Sequence, residues 1–259
     1  MKGNFIRSDD AVSEMVDYTI ILGVILLATG IIVVAGVPMM ENMQEVQHTE
    51  NIRQSFEVMS LNMNKVVFGN APSQSVEMKM YGGALSVVEG NKMIIDLQIW
   101  NSSANTTEMV YGGAVRIASK NVENNYKGNT ISYENTGVWA KYEEGEAVMV
   151  TEPRFTYANN VMVIPITFIE GTDSISGTGL VRVTANGGSK DIDKYENVSM
   201  MNISVTSEHF EAWGRYFNES LQMPIVMEDS NNETINCSKN YLPNIDVYII
   251  NSPMKVTID

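Results

Sequence analysis

The residue types that carry most enzyme chemistry are scarce and scattered in this 259-residue sequence. There are two histidines, His48 and His209, and one cysteine, Cys237. That is too little for a structural zinc site, an iron–sulfur cluster or a disulfide framework. No Gly-x-Ser-x-Gly elbow, phosphate-binding Gly-Lys-Ser/Thr or His-Glu-x-x-His occurs. The 31 acidic residues could include a hydrolytic carboxylate pair, but no local spacing singles one out. The stretch 228–234, with Glu228, Asp229 and Glu233, offers hard oxygen ligands of the kind calcium takes. It lacks the fixed alternation and glycine of a calcium loop, and reads as a solvated turn; Asp191 with Asp193 is weaker still. The sequence predicts no catalysis, no metal and no cofactor.

The other chemistry available is modification. Seven Asn-x-Ser/Thr sequons occur, at Asn101, Asn105, Asn197, Asn202, Asn218, Asn232 and Asn236. They accept glycan only outside the cytoplasm, so their meaning depends on topology. Asn101 and Asn105, in a polar loop, are the best placed. Against 31 Asp and Glu stand 17 Lys and Arg, a net charge of −14. Nucleic acid is excluded as a partner, because phosphate binding needs clustered basic side chains.

The element that must set the topology lies near the N-terminus. Residues 18–40 are 23 consecutive positions without a charge, twelve of them Ile, Leu or Val. As a helix this run is about 35 Å long, enough to cross a hydrocarbon core of about 30 Å. A secretory signal has a shorter apolar region behind a basic segment, whereas Asp9, Asp10, Glu14 and Asp17 lead into this one. The run therefore reads as a retained single-pass span in the cell membrane. Lys2 and Arg7 precede it and the next basic residue is Arg53, which predicts a cytoplasmic N-terminus and an extracellular remainder.

The stretch Asp10-Ala11-Val12-Ser13-Glu14-Met15-Val16-Asp17-Tyr18, running into Ile20-Ile21-Leu22-Gly23, resembles archaeal type IV pilin-like proteins with a class III signal peptide. Phe68-Gly69-Asn70-Ala71-Pro72-Ser73 also resembles uncharacterised pilin-like membrane proteins of archaea, and residues 210–217 carry a weaker echo. The resemblance covers roughly residues 9–90. It implies a prepilin-type peptidase that cuts before the apolar segment, with Asp10 and Ala11 as the recognition pair and Val12 as the mature N-terminus. The usual first recognition residue is basic, and the acid of bacterial pilins is fifth in the mature chain; here Glu14 would be third and Asp17 sixth. A freed N-terminal ammonium near the apolar phase needs a counter-charge, a role that falls to Glu14, then Asp17, in the same or a neighbouring subunit.

Beyond the span a helical period continues. Met39, Met43 and Val46, then Ile52, Phe56, Met59, Met63 and Val66, form one apolar stripe. Pro38 predicts a kink, and Gly69 followed by Pro72 a stop. Residues 52–67 are expected to pack on the protein's own domain, and 39–50 to stay free.

After Pro72 come short β-branched runs, at 76–81, 84–89, 92–100, 109–119, 130–133, 138–141, 147–150, 161–170, 179–185, 200–206, 245–251 and 254–258. Such spacing predicts an antiparallel β-sandwich, with tight turns at Glu89-Gly90-Asn91 and Asn186-Gly187-Gly188. One short helix over 208–221, capped by Ser207, should place Phe210, Trp213, Tyr216 and Phe217 on the sandwich. Tyr81-Gly82-Gly83-Ala84-Leu85 is echoed by Tyr111-Gly112-Gly113-Ala114-Val115.

The organisation read from the sequence is thus a leader (1–11), a transmembrane helix and stalk (12–69) and an extracellular mainly β domain (70–259). The implied function is a structural or adhesive surface protein, assembled into a filament through its membrane helices. Its partners would be the lipid bilayer, other pilin-like subunits, a prepilin-type peptidase and surface glycans. The alternative is a non-polymerising anchored module that binds glycan or a surface-layer partner.

Overall fold

The computed structural model describes residues 9–69, 71–101, 106–109, 115–143 and 145–259, with side chains outside 9–14 and 101–116. Its elements are α1 (Asp9–Phe68), β1 (Ser73–Asn101), β2 (Thr106–Met109), β3 (Val115–Tyr126), β4 (Asn129–Glu134), β5 (Gly137–Lys141) and β6 (Val148–Thr151). They continue with β7 (Thr156–Ala158), β8 (Val161–Glu170), β9 (Ser174–Gly187), β10 (Asp191–Thr206), α2 (Phe210–Glu219), β11 (Ile225–Asp229) and β12 (Thr234–Ile258). The chain divides into two compact units, Met1–His48 and Thr49–Asp259.

The first unit is helix. Its most apolar stretch has mean hydropathy 2.9 and no buried residue. Leu27, Ile32 and Val34 are exposed, as are Met39, Met43 and Val46. By length and composition this helix can cross a membrane. Pro38 lies inside α1 without ending it.

The second unit takes in the last turns of α1, so as a compact body it begins at Thr49 rather than at residue 70. Ile52, Phe56, Met59, Met63 and Val66 are buried, with Val67 beside them. They pack against Met78, Met80, Leu85, Val122, Tyr133, Val138 and Val183. Gly69 closes the helix by donating its N–H to the carbonyl of Lys65 at 2.9 Å. A Cβ at Gly69 would stand 2.4 Å from that oxygen, so the stop signal is steric.

The unit is mainly β. All twelve described strands join one hydrogen-bonded sheet, whose central path runs β6-β5-β4-β3-β1-β10-β12-β8-β7. β9 bonds to both β1 and β12, and β10 bonds to the same two. Those four long strands therefore form a closed ring of pairings. One pair departs from the expected antiparallel order: β8 runs parallel to β12, Val161 opposite Asp246 through Glu170 opposite Lys255. A parallel neighbour needs a long crossover, and here β9, β10, α2 and β11 intervene.

Several runs that read as separate strands are one. The three over 76–100 are β1, whose bulges bend the chain without breaking its ladder, and the two over 245–258 belong to β12, whose pairing with β8 runs without interruption from Asp246 to Lys255. At Gly82-Gly83 one extra residue enters β1 opposite β9. Inward positions are even before it (Met78, Met80) and odd after it (Leu85, Val87), as a one-residue insertion requires. The Glu89-Gly90-Asn91 segment, expected as a tight turn, is a second bulge. Asn186-Gly187-Gly188 leads from β9 towards β10, its Gly187 and Gly188 amides donating to the carbonyls of Pro72 and Pro253. The second Tyr-Gly-Gly copy lies outside the described residues.

Two apolar clusters result. One holds the α1 residues; the other joins α2 to Met93, Ile95, Leu97, Ile164 and Val247. Val138 and Ala140 of β5 belong to the first and Trp139 to the second. Neighbouring residues of a strand face opposite sides, so β5 is covered on both faces. β4 is likewise buried after its first residue.

Candidate functional site: a buried carboxylate beneath an acidic pocket

The double coverage of β4 and β5 has a chemical consequence at their connection. Glu134 ends β4, pairs with Gly137, and is wholly buried. The two residues between them, Asn135 (φ 42°) and Thr136 (φ 72°), both adopt the left-handed region. That is the geometry of a two-residue hairpin turn, but a β-branched residue seldom accepts it. Contacts on all sides hold the turn in place. Ser60 Oγ and Asn64 Nδ2 of α1 donate to the Thr136 carbonyl at 3.3 and 3.1 Å. Tyr133 donates its hydroxyl to Asn64 Oδ1 at 3.1 Å, and Asn135 Oδ1 accepts the Thr167 N–H of β8 at 2.9 Å.

A buried carboxylate is costly unless donors surround it. Glu134 has four. Trp213 Nε1 donates to Oε1 at 2.8 Å. On Oε2, Ser207 Oγ donates at 2.8 Å, Asn121 Nδ2 at 3.3 Å, and His209 Nδ1 lies 3.3 Å away. Trp139 Nε1 donates to the Glu134 backbone carbonyl at 3.2 Å, and the two indole rings lie 4.4 Å apart. The network reaches further, since Asn91 Nδ2 donates to Asn121 Oδ1 at 2.8 Å.

Ser207, Glu134 and His209 superficially suggest a hydrolytic triad, but the order is wrong for one. A triad nucleophile gives its proton to the imidazole. Here the Ser207 hydroxyl bonds the carboxylate, and its oxygen accepts the His209 backbone N–H at 3.0 Å. Ser207 and His209 are both buried, at 3% and 1% exposure.

Over this network opens a cavity of about 260 Å³, lined by Glu89, Glu123, Glu208 and Glu233 together with Gly90, Asn121 and His209. Gly90 is essential to its shape: a Cβ there would sit 2.1 Å from Asn121 Nδ2. Burial and the neighbouring Glu208 hold the Glu123 carboxyl above the usual carboxylate range. Lys141 lies 3.6 Å from Glu208 and 4.0 Å from Glu233. Among the described residues no group of three or more His, Cys, Asp or Glu is placed to hold a metal ion.

The residues singled out from the sequence fall elsewhere. Asp10, Ala11, Val12 and Glu14 lie on α1 where only the backbone is described, and Asp17 is exposed on the same helix. Asn105 and the Asn101 side chain lie outside the described residues. Asn197, Asn218 and Asn232 are exposed, whereas Asn202 and Asn236 are half-buried within β10 and β12. The last two sequons face each other: Asn202 pairs with Ser238 and Ser204 with Asn236. Stretch 228–234 is a tight turn in which Asp229 accepts the amides of Asn231 and Asn232 at 3.1 and 3.2 Å. Cys237 is fully buried, its thiol pushed up to about 12 by desolvation, which leaves little nucleophilic thiolate.

Ser207 does not cap α2. His209 occupies that position and has no side-chain capping bond; the Ser207 hydroxyl is engaged by Glu134 instead. Sequence reasoning missed Glu134 altogether. The only local hint was an acid closing an apolar strand at Ile131-Ser132-Tyr133-Glu134.

Fold and site together define a protein with one long apolar N-terminal helix and a β-rich unit organised around a buried carboxylate. The chain belongs to the family of unknown function DUF7289, whose model matches residues 11–256. It is similar to an uncharacterized protein of Archaeoglobus fulgidus, 23% identical over 261 aligned residues that cover 81% of this chain and 84% of the relative. No solved structure matches.

Proposed function

We propose that this chain is a pilin-like surface protein with a structural or adhesive role, held in the membrane by α1 with its N-terminus in the cytoplasm. One observation carries the reading: the same helix is uncharged and largely exposed over residues 18–40, then becomes part of a protein core from Ile52 onward. A lipid-exposed helix continuous with a folded β unit suits an anchor that displays a rigid module. On this reading the β unit is an extracellular sandwich-type domain, which two apolar clusters between long bent strands support. Prepilin-type processing would release residues 1–11 and leave Val12 to be neutralised by Glu14 or Asp17. Surface glycans would attach at exposed sequons.

The test is intact mass and N-terminal sequencing of protein from native membranes. A start at Val12 with mass above that of the polypeptide supports processing and glycosylation. An intact Met1 and an unmodified mass overturn the pilin-like reading. The alternative, an anchored binding module that does not polymerise, is favoured by the polar pocket over Glu134. Filaments absent from a correctly processed, membrane-extracted preparation would select it.

A further inference from the structure

We propose that Met39, Met40 and Met43 of α1 form a three-thioether site for a soft monovalent metal ion, Cu(I).

The thioethers are close together and open to solvent. Met39, Met40 and Met43 are 64%, 61% and 54% exposed on one stretch of helix. Met43 is four residues beyond Met39 and three beyond Met40, and side chains at both spacings are surface neighbours, with Cβ atoms about 5–6 Å apart. A helical side chain leans towards the N-terminus, so Met43 reaches back over the turn that carries the other two. Met39 and Met43 border one concavity on the helix surface, with Asn42, Val46 and Gln47. The rotatable bonds of methionine let the sulfurs converge without moving the backbone.

Packing does not explain the choice of residue. The span is built from Ile, Leu and Val, twelve of them in 18–40, and holds no methionine from residue 16 to residue 38. At 39–43 the pattern reverses: three of five residues are methionine, and no Ile, Leu or Val occurs from 38 to 45. The apolar stripe of α1 accounts for Met39 and Met43 but not for Met40, which lies about 100° round the helix from Met39. A ligand triangle uses all three.

The donor type selects the ion. A thioether is neutral, polarizable and soft. It suits Cu(I), whereas carboxylate and carbonyl oxygens suit Mg, Ca and Mn. Glu41, exposed between Met40 and Met43 in the chain, supplies a negative charge that three neutral ligands lack. The competing sulfur, Cys237, is fully buried with its thiol pushed up to about 12, which disfavours the thiolate that a metal needs. All three methionines lie on one helix, so the inference is independent of filament assembly and of the direction in which α1 crosses the membrane.

The test titrates the full chain in detergent micelles with Cu(I), anaerobically and with ascorbate, in competition with the chromophoric chelator bicinchoninate. X-ray absorption at the copper edge reads the ligand shell. A calorimetric arm uses Ag(I), a soft ion of the same charge. A single equivalent of each ion is expected to bind, with a sulfur-only copper shell. Met43→Leu keeps the apolar volume and removes one sulfur. It should weaken binding more than about tenfold, because even losing a partner outside the ligand shell typically costs that much. The triple variant M39L/M40L/M43L should abolish binding and leave the unfolding midpoint of the β unit in place, since all three positions are exposed. Cys237→Ser and Met15→Leu should bind like the parent. The inference is overturned if the chain takes up no more metal than empty micelles, or if the triple variant keeps parental affinity. Loss of binding in Cys237→Ser, or a copper shell dominated by nitrogen or oxygen, overturns it equally.

Discussion

One apolar stripe on α1 has two fates. Met39, Met43 and Val46 are 64%, 54% and 70% exposed, while Ile52, Phe56 and Met59 further along are at 3%, 0% and 0%. The residue types and their three-and-four spacing are the same in both halves. The difference is made by what covers them: the second half meets Met78, Met80, Leu85 and Val183 from strands of its own unit, whereas among the described residues the first half stays exposed. Burial of a methionine or phenylalanine contributes about 1.5–3 kcal/mol only when something displaces its water. A stripe in a sequence is therefore an offer of packing, and tertiary structure decides whether it is taken up internally or left for lipid or another chain.

The largest effects should come from breaking the buried half. Phe56→Ala empties a fully buried position and should cost about 3–5 kcal/mol, read as a lower midpoint in denaturant unfolding of the detergent-solubilised chain. Met43→Ala in the exposed half should stay within about 0.5 kcal/mol. Equal losses at the two sites would abolish the distinction.

Next in size is a charge placed in the apolar run. Ile25→Arg should disfavour insertion by about 2.5–3.5 kcal/mol, shifting the protein towards the carbonate-soluble fraction while leaving the unfolding midpoint of the β unit unchanged. A protein that partitions as before would argue against a membrane span.

The polar side of the buried half is tested by Asn64→Leu. It leaves the Tyr133 hydroxyl without its acceptor and removes a donor from the Thr136 carbonyl. The expected cost is about 1–3 kcal/mol, accompanied by faster amide exchange at the β4–β5 turn.

The smallest effect concerns Glu123. Its carboxyl is held above the usual range in the folded state by burial and by Glu208. The fold therefore favours the protonated form, and stability is lost as pH rises from the ordinary carboxylate value of 4.5 through the folded one. Glu123→Gln should melt higher than the parent at pH 7.5, and the gain should vanish below about pH 4. A gain that is the same at both pH values would show that charge is not its cause.

Most of the chain's large-scale organisation was legible in local pattern. Residues 18–40 are uncharged for long enough to span a bilayer whatever follows them, and Gly69 is a helix stop for steric reasons confined to one turn. Runs rich in Val, Ile, Met, Thr and Tyr at 161–170 and 130–133 marked strands, since such side chains suit a pleated ladder. Missed strands β7 and β11 are short and mostly exposed, so burial left no pattern in them. Gly90 was legible as a special backbone position but not as a bulge, because a turn and a bulge both ask for glycine.

The site was illegible for a different reason. Glu134 meets Ser207 and Trp213 across 73 and 79 residues of chain, and no local spacing encodes such a meeting. By itself the sequence determined a long apolar helix, a β-rich remainder and a shortage of catalytic side chains, all properties of neighbours in the chain. Only the tertiary structure decided which half of the α1 stripe is core, which acid is buried, and that His209 keeps one nitrogen without a partner. Those are properties of groups brought together in space, where desolvation raises the cost of every unmade bond.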